Sequence, residues 1–362
     1  MGSHEAKTTS FSTEEEENDN SSYAMQLLFS GALPMVLNTV IKLNVFEIIA
    51  REGPNAQLSP FQIVSQMPNN KNSQAPEMLD RMLRMLASYS IFTCSVVDSN
   101  KRVYGLGTVS KYFVKNESGS SLGPFLDLLQ HKLTNEAWYE LGAAVLDGGI
   151  PFERAHRMPI YKYAGLDQKF NETFNVSMLH QTKMVVANII ENYKGFENLK
   201  TLVDVGGGAG VALSVITSKF PNIKGINYDL PHVIEHAPKY PGVEHIGGDM
   251  FVSVPEGDAI FMKTVLHNWD DDHCLRLLKN CYKALPESGN LIVVDAIIPM
   301  NPDNSSSTKH IAQVDMFMLL NQQPGAKERT EQEFFTLATK AGFKRIQRKC
   351  VFFDLWVMEF NK

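Results

Sequence analysis

The feature that most constrains this chain is the run Val203-Asp204-Val205-Gly206-Gly207-Gly208-Ala209-Gly210. It follows a short apolar segment, Thr201–Val205, and precedes a helical pattern over 210–220. Glycines at such a turn let the backbone bend tightly and approach a ligand with no Cβ in the way. The strand–turn–helix unit then repeats. Segments 223–228, 258–262 and 291–294 read as further strands, 271–285 as a helix between the last two, and 351–359 as a late strand. Short loops between alternating strands and helices predict an α/β, doubly wound parallel sheet. Such sheets bind ligands beyond the carboxyl ends of their strands.

The glycine spacing narrows the ligand. A dinucleotide fingerprint needs glycine at 206, 208 and 211, but Val211 stands at the last position. Glycine at 206, 208 and 210, with Asp204 two residues upstream, resembles instead the first motif of class I methyltransferases, which bind S-adenosylmethionine (SAM). Asp229 closes the next strand, where an acid reaches the ribose hydroxyls of a nucleoside. Gly248-Asp249-Met250 follows one unit later, suited to bonding an adenine amino group and covering its ring. Asp204 reads equally as a capping residue or as a group placing the methionine end of SAM.

His267 lies just past the strand 258–262, the one histidine of ten that topology sets beside this site. Asp295 ends an otherwise apolar strand, and an acid there needs a reason. Glu328 stands in the turn Pro324-Gly325-Ala326-Lys327-Glu328-Arg329-Thr330. The functional reading is that both acids accept hydrogen bonds and fix the imidazole's orientation and tautomer. The run Asp270-Asp271-Asp272-His273 reads as a helix start rather than a metal site, because acids favour the positive end of the helix dipole. His232, His236 and His245 read as ordinary loop or helix-edge residues.

Upstream the chain changes character. Residues 1–22 are polar and acidic, which predicts a mobile tail. The stretch 23–49 reads as helices broken at Pro34. Its uncharged run 24–41 is interrupted by Gln26, Ser30, Pro34, Asn38 and Thr39, which favours an interface helix pair over a membrane span. Ser59-Pro60 opens a helix, and Met78, Leu79, Met82, Leu83 and Leu86 carry helical spacing over 75–89. Strands at 91–97 and 102–106 around Asp98-Ser99-Asn100 complete a winged-helix-like order. From about 123 to 196 the pattern is mainly helical. The domains are therefore expected as a tail, 1–22, a winged-helix-like domain, 23–118, and a catalytic domain, 119–362. A net charge of −6 disfavours a nucleic-acid or anionic-membrane footprint, and four cysteines with no CxxC pair fit reduced thiols in the cytoplasm.

From about residue 23 onward the chain resembles plant small-molecule O-methyltransferases of the caffeic acid/(iso)eugenol type. The stretches that carry the likeness are Leu79-Asp80-Arg81, Leu86-Ala87-Ser88-Tyr89, Gly148-Gly149-Ile150-Pro151-Phe152, Asp229-Leu230-Pro231-His232-Val233-Ile234 and Tyr240-Pro241-Gly242-Val243-Glu244-His245, with 267–274 and 325–334. The resemblance implies a homodimer built on the N-terminal domain, with Phe29 or Ser30 reaching the partner's pocket, and a small-molecule phenolic substrate. It implies SAM contacts at Gly206, Asp229, Leu230, Asp249, Met250 and Lys263, a base at His267, supporting acids at Asp295 and Glu328, and no metal. Position 295 is Glu in the caffeic acid enzymes, so one methylene is missing here.

The resemblance also places substrate contacts at Leu128, Leu129, Phe170, Phe174, Met178, Asn268 and Gln323. Here Leu128-Leu129 stands for a Met-Asn pair, Thr264 for a Trp, Asn268 for an Asp and Gln323 for an Asn. Losing the acid at 268 and the amide at 129 predicts poor lignin-precursor turnover and a bulkier or less polar phenol, such as a coumarin, lignan, flavonoid or alkaloid. An N-methyltransferase on the same fold and a non-catalytic SAM-binding or winged-helix regulatory protein are the alternative readings.

Overall fold

The computed structural model describes residues 14–98 and 100–362. The chain divides into two compact units at Asn116/Glu117.

The first unit is helical with one hairpin. Part of the expected tail is a helix, Glu14–Leu28, since successive glutamates have high helix propensity; residues 1–13 lie outside the described residues. The chain breaks over residues 29–31 rather than at Pro34. Pro34 sits in the first turn of Ala32–Lys42, where a missing N–H costs nothing. These two helices bend by 56°, and among the described residues no single helix is long and apolar enough to cross a membrane. Ser59 caps Pro60–Ser65 in a reciprocal box with Gln62. Helix Ala75–Ser88 buries Leu79, Leu83 and Leu86, while Met78 stays 54% exposed. Strands β1 (Phe92–Val97) and β2 (Lys101–Leu106) pair antiparallel. Asp80 ties the helix to β2, accepting from Tyr104 Oη at 2.7 Å and Arg102 Nη1 at 3.0 Å. Ser99, within the expected turn, lies outside the described residues.

The second unit is a seven-stranded sheet with helices on both faces. Its strands are β3 (Thr201–Val205), β4 (Lys224–Asp229), β5 (Val243–Gly247), β6 (Ala259–Lys263), β7 (Asn290–Ala296), β8 (Arg345–Phe352) and β9 (Leu355–Asn361). The order is β5-β4-β3-β6-β7-β9-β8, and the first five run parallel. The late strand is a correction to the sequence reading. It is a hairpin, β8 and β9, and β9 runs antiparallel to β7. Phe353 and Asp354 both take positive φ at its turn, without the Asn-Gly signal that marks such turns. Strand alternation sends Val203, Val205, Ile260, Met262, Leu291 and Val293 to one core. Leu202, Phe261, Ile292 and Val294 go to the other, against helices Gln168–Asn192 and Val211–Lys219. The carboxyl ends of β3, β4, β6 and β7 thus open on one edge, where Gly206, Asp229, Lys263 and Asp295 emerge.

Candidate active site

The glycine turn comes first. Gly206, Gly208 and Gly210 all have positive φ (71°, 57° and 78°), which only glycine adopts without strain. Gly207 has no room for a side chain: a Cβ there would stand 2.1 Å from Asn227 Oδ1 and 2.6 Å from Asp204 Oδ2. Asp229 pins the turn, accepting from Gly208 N at 2.8 Å and Leu230 N at 2.7 Å. Asp249 accepts from Phe251 N at 2.8 Å, and Met250 is held by Asn280 Nδ2 on its carbonyl at 2.9 Å. Leu230 is 45% exposed.

Lys263 Nζ donates to Gln181 Oε1 at 3.0 Å and to Thr264 Oγ1 at 3.3 Å. Burial pulls its ammonium down to about 8, opposed by the charges of Asp204 and Asp295. Burial likewise pushes the Asp204 carboxyl up to about 7, with the Lys263 charge opposing. Among the described residues, Asp204 Oδ2 and Asn227 Oδ1 are buried acceptors without a hydrogen-bond partner. Two unspent acceptors beside a side-chain-free turn, with carboxylates at two neighbouring strand ends, suit a cationic nucleoside such as SAM.

His267 Nδ1 lies 2.7 Å from Glu328 Oε1, and the side chains are 12% and 1% exposed. The carboxylate can only accept, so Nδ1 carries the proton and Nε2 is the acceptor. Burial alone would depress this imidazole; the charge and hydrogen bond of Glu328, helped by Asp295, raise it above its ordinary value. Asp295 departs from expectation. It is fully buried, yet neither carboxylate oxygen has a hydrogen-bond partner among the described residues. The short side chain acts on His267 through charge alone. Burial pushes its carboxyl up to about 7, against the pull of His267.

Several supports carry no sequence signal. Arg329 is fully buried and donates to the carbonyls of Leu266 and Trp269, both at 2.7 Å, bracketing His267. Its Nη2 also meets Asp271 at 2.8 Å. Asp315, on helix Ser306–Asn321, accepts from Glu328 N at 2.8 Å. Asp270 caps helix Asp271–Ala284 by accepting from His273 N at 2.9 Å, so two of the run's three acids serve the helix start and Arg329.

Of the proposed substrate contacts, Leu128 and Phe170 are buried at 2% and 0% in one cluster with Phe152, Ile160 and Leu320. Phe174 and Met178 border that cluster and are partly buried; Leu129 is also half-buried. Asn268 and Gln323 bond to backbone: Asn268 Nδ2 donates to Thr264 O at 3.1 Å, and Gln323 Nε2 to Asn268 O at 3.1 Å. Thr264 has φ +53°, unusual for a β-branched residue. Tyr161, absent from the sequence reading, sets its ring edge-on to Phe174 at 6.0 Å and accepts from Gln322 Nε2 at 3.0 Å.

This fold defines a class. Human N-acetylserotonin methyltransferase in complex with SAM superposes with TM-score 0.75 at 18% identity, covering 100% of this chain and 99% of that one. Mitomycin 7-O-methyltransferase superposes at 0.72 with 23% identity over 97% and 100%. The likeness is one of fold, that of the class I methyltransferases. Residues 138–344 match the O-methyltransferase domain and 25–116 the O-methyltransferase dimerisation domain. Catechol O-methyltransferase 1 of Solanum lycopersicum is 54% identical over 361 residues, 96% of each chain. Caffeic acid 3-O-methyltransferase 3 of Populus kitakamiensis is 53% identical over 95% of each, and the esculetin O-methyltransferase of Kitagawia praeruptora 50% over 96%. The chain belongs to the O-methyltransferase family and is a SAM-dependent enzyme of it.

Proposed function

We propose that His267 takes the proton of a phenolic hydroxyl as that oxygen receives the methyl group, with no metal required. The observation that carries this is the buried His267–Glu328 pair, whose Nδ1 is occupied and whose Nε2 is left to accept. Bound SAM supplies the electrophilic sulfonium methyl. Gly206, Asp229, Leu230, Asp249, Met250 and Lys263 bind it, and Phe174 and Met178 orient the aromatic ring. Asp295 and Glu328 then balance the imidazolium that forms.

Removing Glu328's charge has a signed consequence. A base must be neutral to work, so turnover rises with pH through the His267 titration, above the ordinary imidazole value of about 6.5. In Glu328→Gln the raising influence goes and burial remains. The acid limb of kcat should move to lower pH while the plateau falls; a limb that stays in place would show that another group sets it.

For the acceptor, catechol, caffeic acid and esculetin in the relatives' names support a phenol. Asn268 and Gln323 each commit an amide N–H to a backbone carbonyl, which leaves fewer polar atoms for a substrate and supports one less polar than a lignin precursor. Methyl transfer from labelled SAM across caffeic acid, esculetin, flavonoid, lignan and phenolic alkaloid acceptors tests this. We expect the coumarin, flavonoid, lignan or alkaloid group to exceed caffeic acid in kcat/KM; caffeic acid above all of them would overturn it.

A homodimer in the cytoplasm completes the reading. Leu28, Phe29 and Met35 are 77%, 69% and 50% exposed within the region that matches the dimerisation domain, a patch that association would cover. The four thiols are free, which fits a reducing compartment. A light-scattering mass of one chain at micromolar concentration would contradict the dimer.

A further inference from the structure

Behind the glycine turn lies a row of polar side chains that the mechanism does not use. Asp204, Asn227 and His245 are register partners across β3, β4 and β5. Strand alternation therefore sends all three to the same face, with Asp229 two residues beyond Asn227. Asn227 is fully buried. Its Nδ2 donates twice, to Gly208 O at 2.9 Å and to His245 Nδ1 at 3.0 Å. His245 Nε2 lies 2.8 Å from Pro238 O. A carbonyl only accepts, so Nε2 carries the proton and Nδ1 is free to accept from the amide. That choice orients the whole chain of bonds: Nε2–H to Pro238 O, Asn227 to Nδ1, Asn227 to Gly208 O. With the amide reversed, Oδ1 would face Gly208 O, acceptor against acceptor.

The turn also rests on the ring. A Cβ on Gly210 would stand 2.9 Å from His245 Cε1. Gly208 is thus held at both polar atoms by side chains of one strand, its carbonyl by Asn227 and its N–H by Asp229. Asp229 is recognisable from its place at a strand end; His245 is one histidine among ten, on a strand that the sequence does not mark.

We propose that His245, acting through Asn227, is a positioning residue for SAM binding: it fixes the amide that holds the Gly208 carbonyl and so sets the shape of the glycine turn. This rests on that turn being the SAM site. His245 touches no reacting atom, and its loss is felt at the nucleoside rather than at the phenol.

The test is calorimetric titration of the full-length enzyme with S-adenosylhomocysteine, comparing wild type, His245→Ala, His245→Gln and Asp229→Ala. His245→Ala should raise Kd by about tenfold, the scale of one well-oriented hydrogen bond lost from a site. The same factor should appear in KM for SAM and not in KM for the phenol. Gln can accept from Asn227 and donate to Pro238 O, so His245→Gln should recover most of the affinity. In wild type, ¹⁵N-histidine NMR should find the Nε2–H tautomer at His245. The opposite tautomer, or a His245→Ala enzyme that loses thermal stability with Kd unchanged, would overturn the proposal. Asp229→Ala separates the two readings. If it weakens binding while His245→Ala does not, the positioning role falls and the SAM site stands; if it leaves Kd unchanged, the SAM site itself falls.

Discussion

His267→Ala should lower kcat by about 10²–10⁴-fold, the contribution of a positioned general base, and leave Kd for S-adenosylhomocysteine within a few-fold. The magnitude follows from the acceptor. A phenol has a pKa of about 10, so ionising it near pH 7 costs roughly 4 kcal/mol, three units at about 1.36 each. In the proposed mechanism His267 removes that cost by taking the proton during transfer. It is suited to do so because Glu328 holds Nδ1 at 2.7 Å and leaves Nε2 as the acceptor. The imidazolium formed is buried, and two carboxylates, Glu328 by contact and Asp295 by charge, oppose the desolvation that would otherwise disfavour it. Alanine removes the acceptor while leaving the glycine turn, Asp229 and Asp249 untouched, so the loss falls on kcat.

Arg329→Met should produce the largest loss of stability. The guanidinium is fully buried and holds the Leu266 and Trp269 carbonyls on either side of His267. Methionine keeps much of the stem's volume but no donor. The Leu266 carbonyl keeps the Trp269 N–H at 3.2 Å, so its lost bond costs about 1 kcal/mol, while the Trp269 carbonyl left short of a donor costs roughly 1–3 kcal/mol. The Asp271 contact adds little, because that carboxylate is 56% exposed and solvent replaces its partner. A destabilisation of about 2–4 kcal/mol lowers Tm by roughly 4–16 °C for a unit of this size, at about 2–4 °C per kcal/mol. Differential scanning calorimetry measures it, and a shift under about 2 °C would show that water replaces the donors without cost. Turnover should fall as well, since the segment carrying His267 loses its brace.

Much of this candidate site is legible in the sequence. Gly206 and Asp229 are local features, each read from its place after a strand, and Asp249 is read from its place one unit later. His267 and Glu328 are 61 residues apart in sequence, yet both sit beside motifs that carry the family likeness. What could not be read depends on contacts across the fold. Nothing local distinguishes Arg329 as a brace from a surface arginine, or His245 as a support from a loop histidine. Asp295 was expected to hydrogen-bond His267; whether a side chain one methylene shorter reaches its partner is a matter of tertiary distance. Pro34 was misread because proline breaks a helix interior but is tolerated in a first turn. The β8–β9 hairpin escaped notice because Phe353-Asp354 lacks the usual turn residues. The glutamate-rich segment became a helix where low apolar content had suggested none.

In the proposed mechanism His267 acts in the chemical step and not in holding the methyl donor. Turnover of labelled SAM with a saturating phenol, and Kd for S-adenosylhomocysteine, measured on one preparation of His267→Ala, test it together. The expected result is a kcat lower by at least about 10²-fold with Kd within a few-fold of wild type. Equal losses in kcat and in S-adenosylhomocysteine affinity would contradict it and make His267 a structural residue.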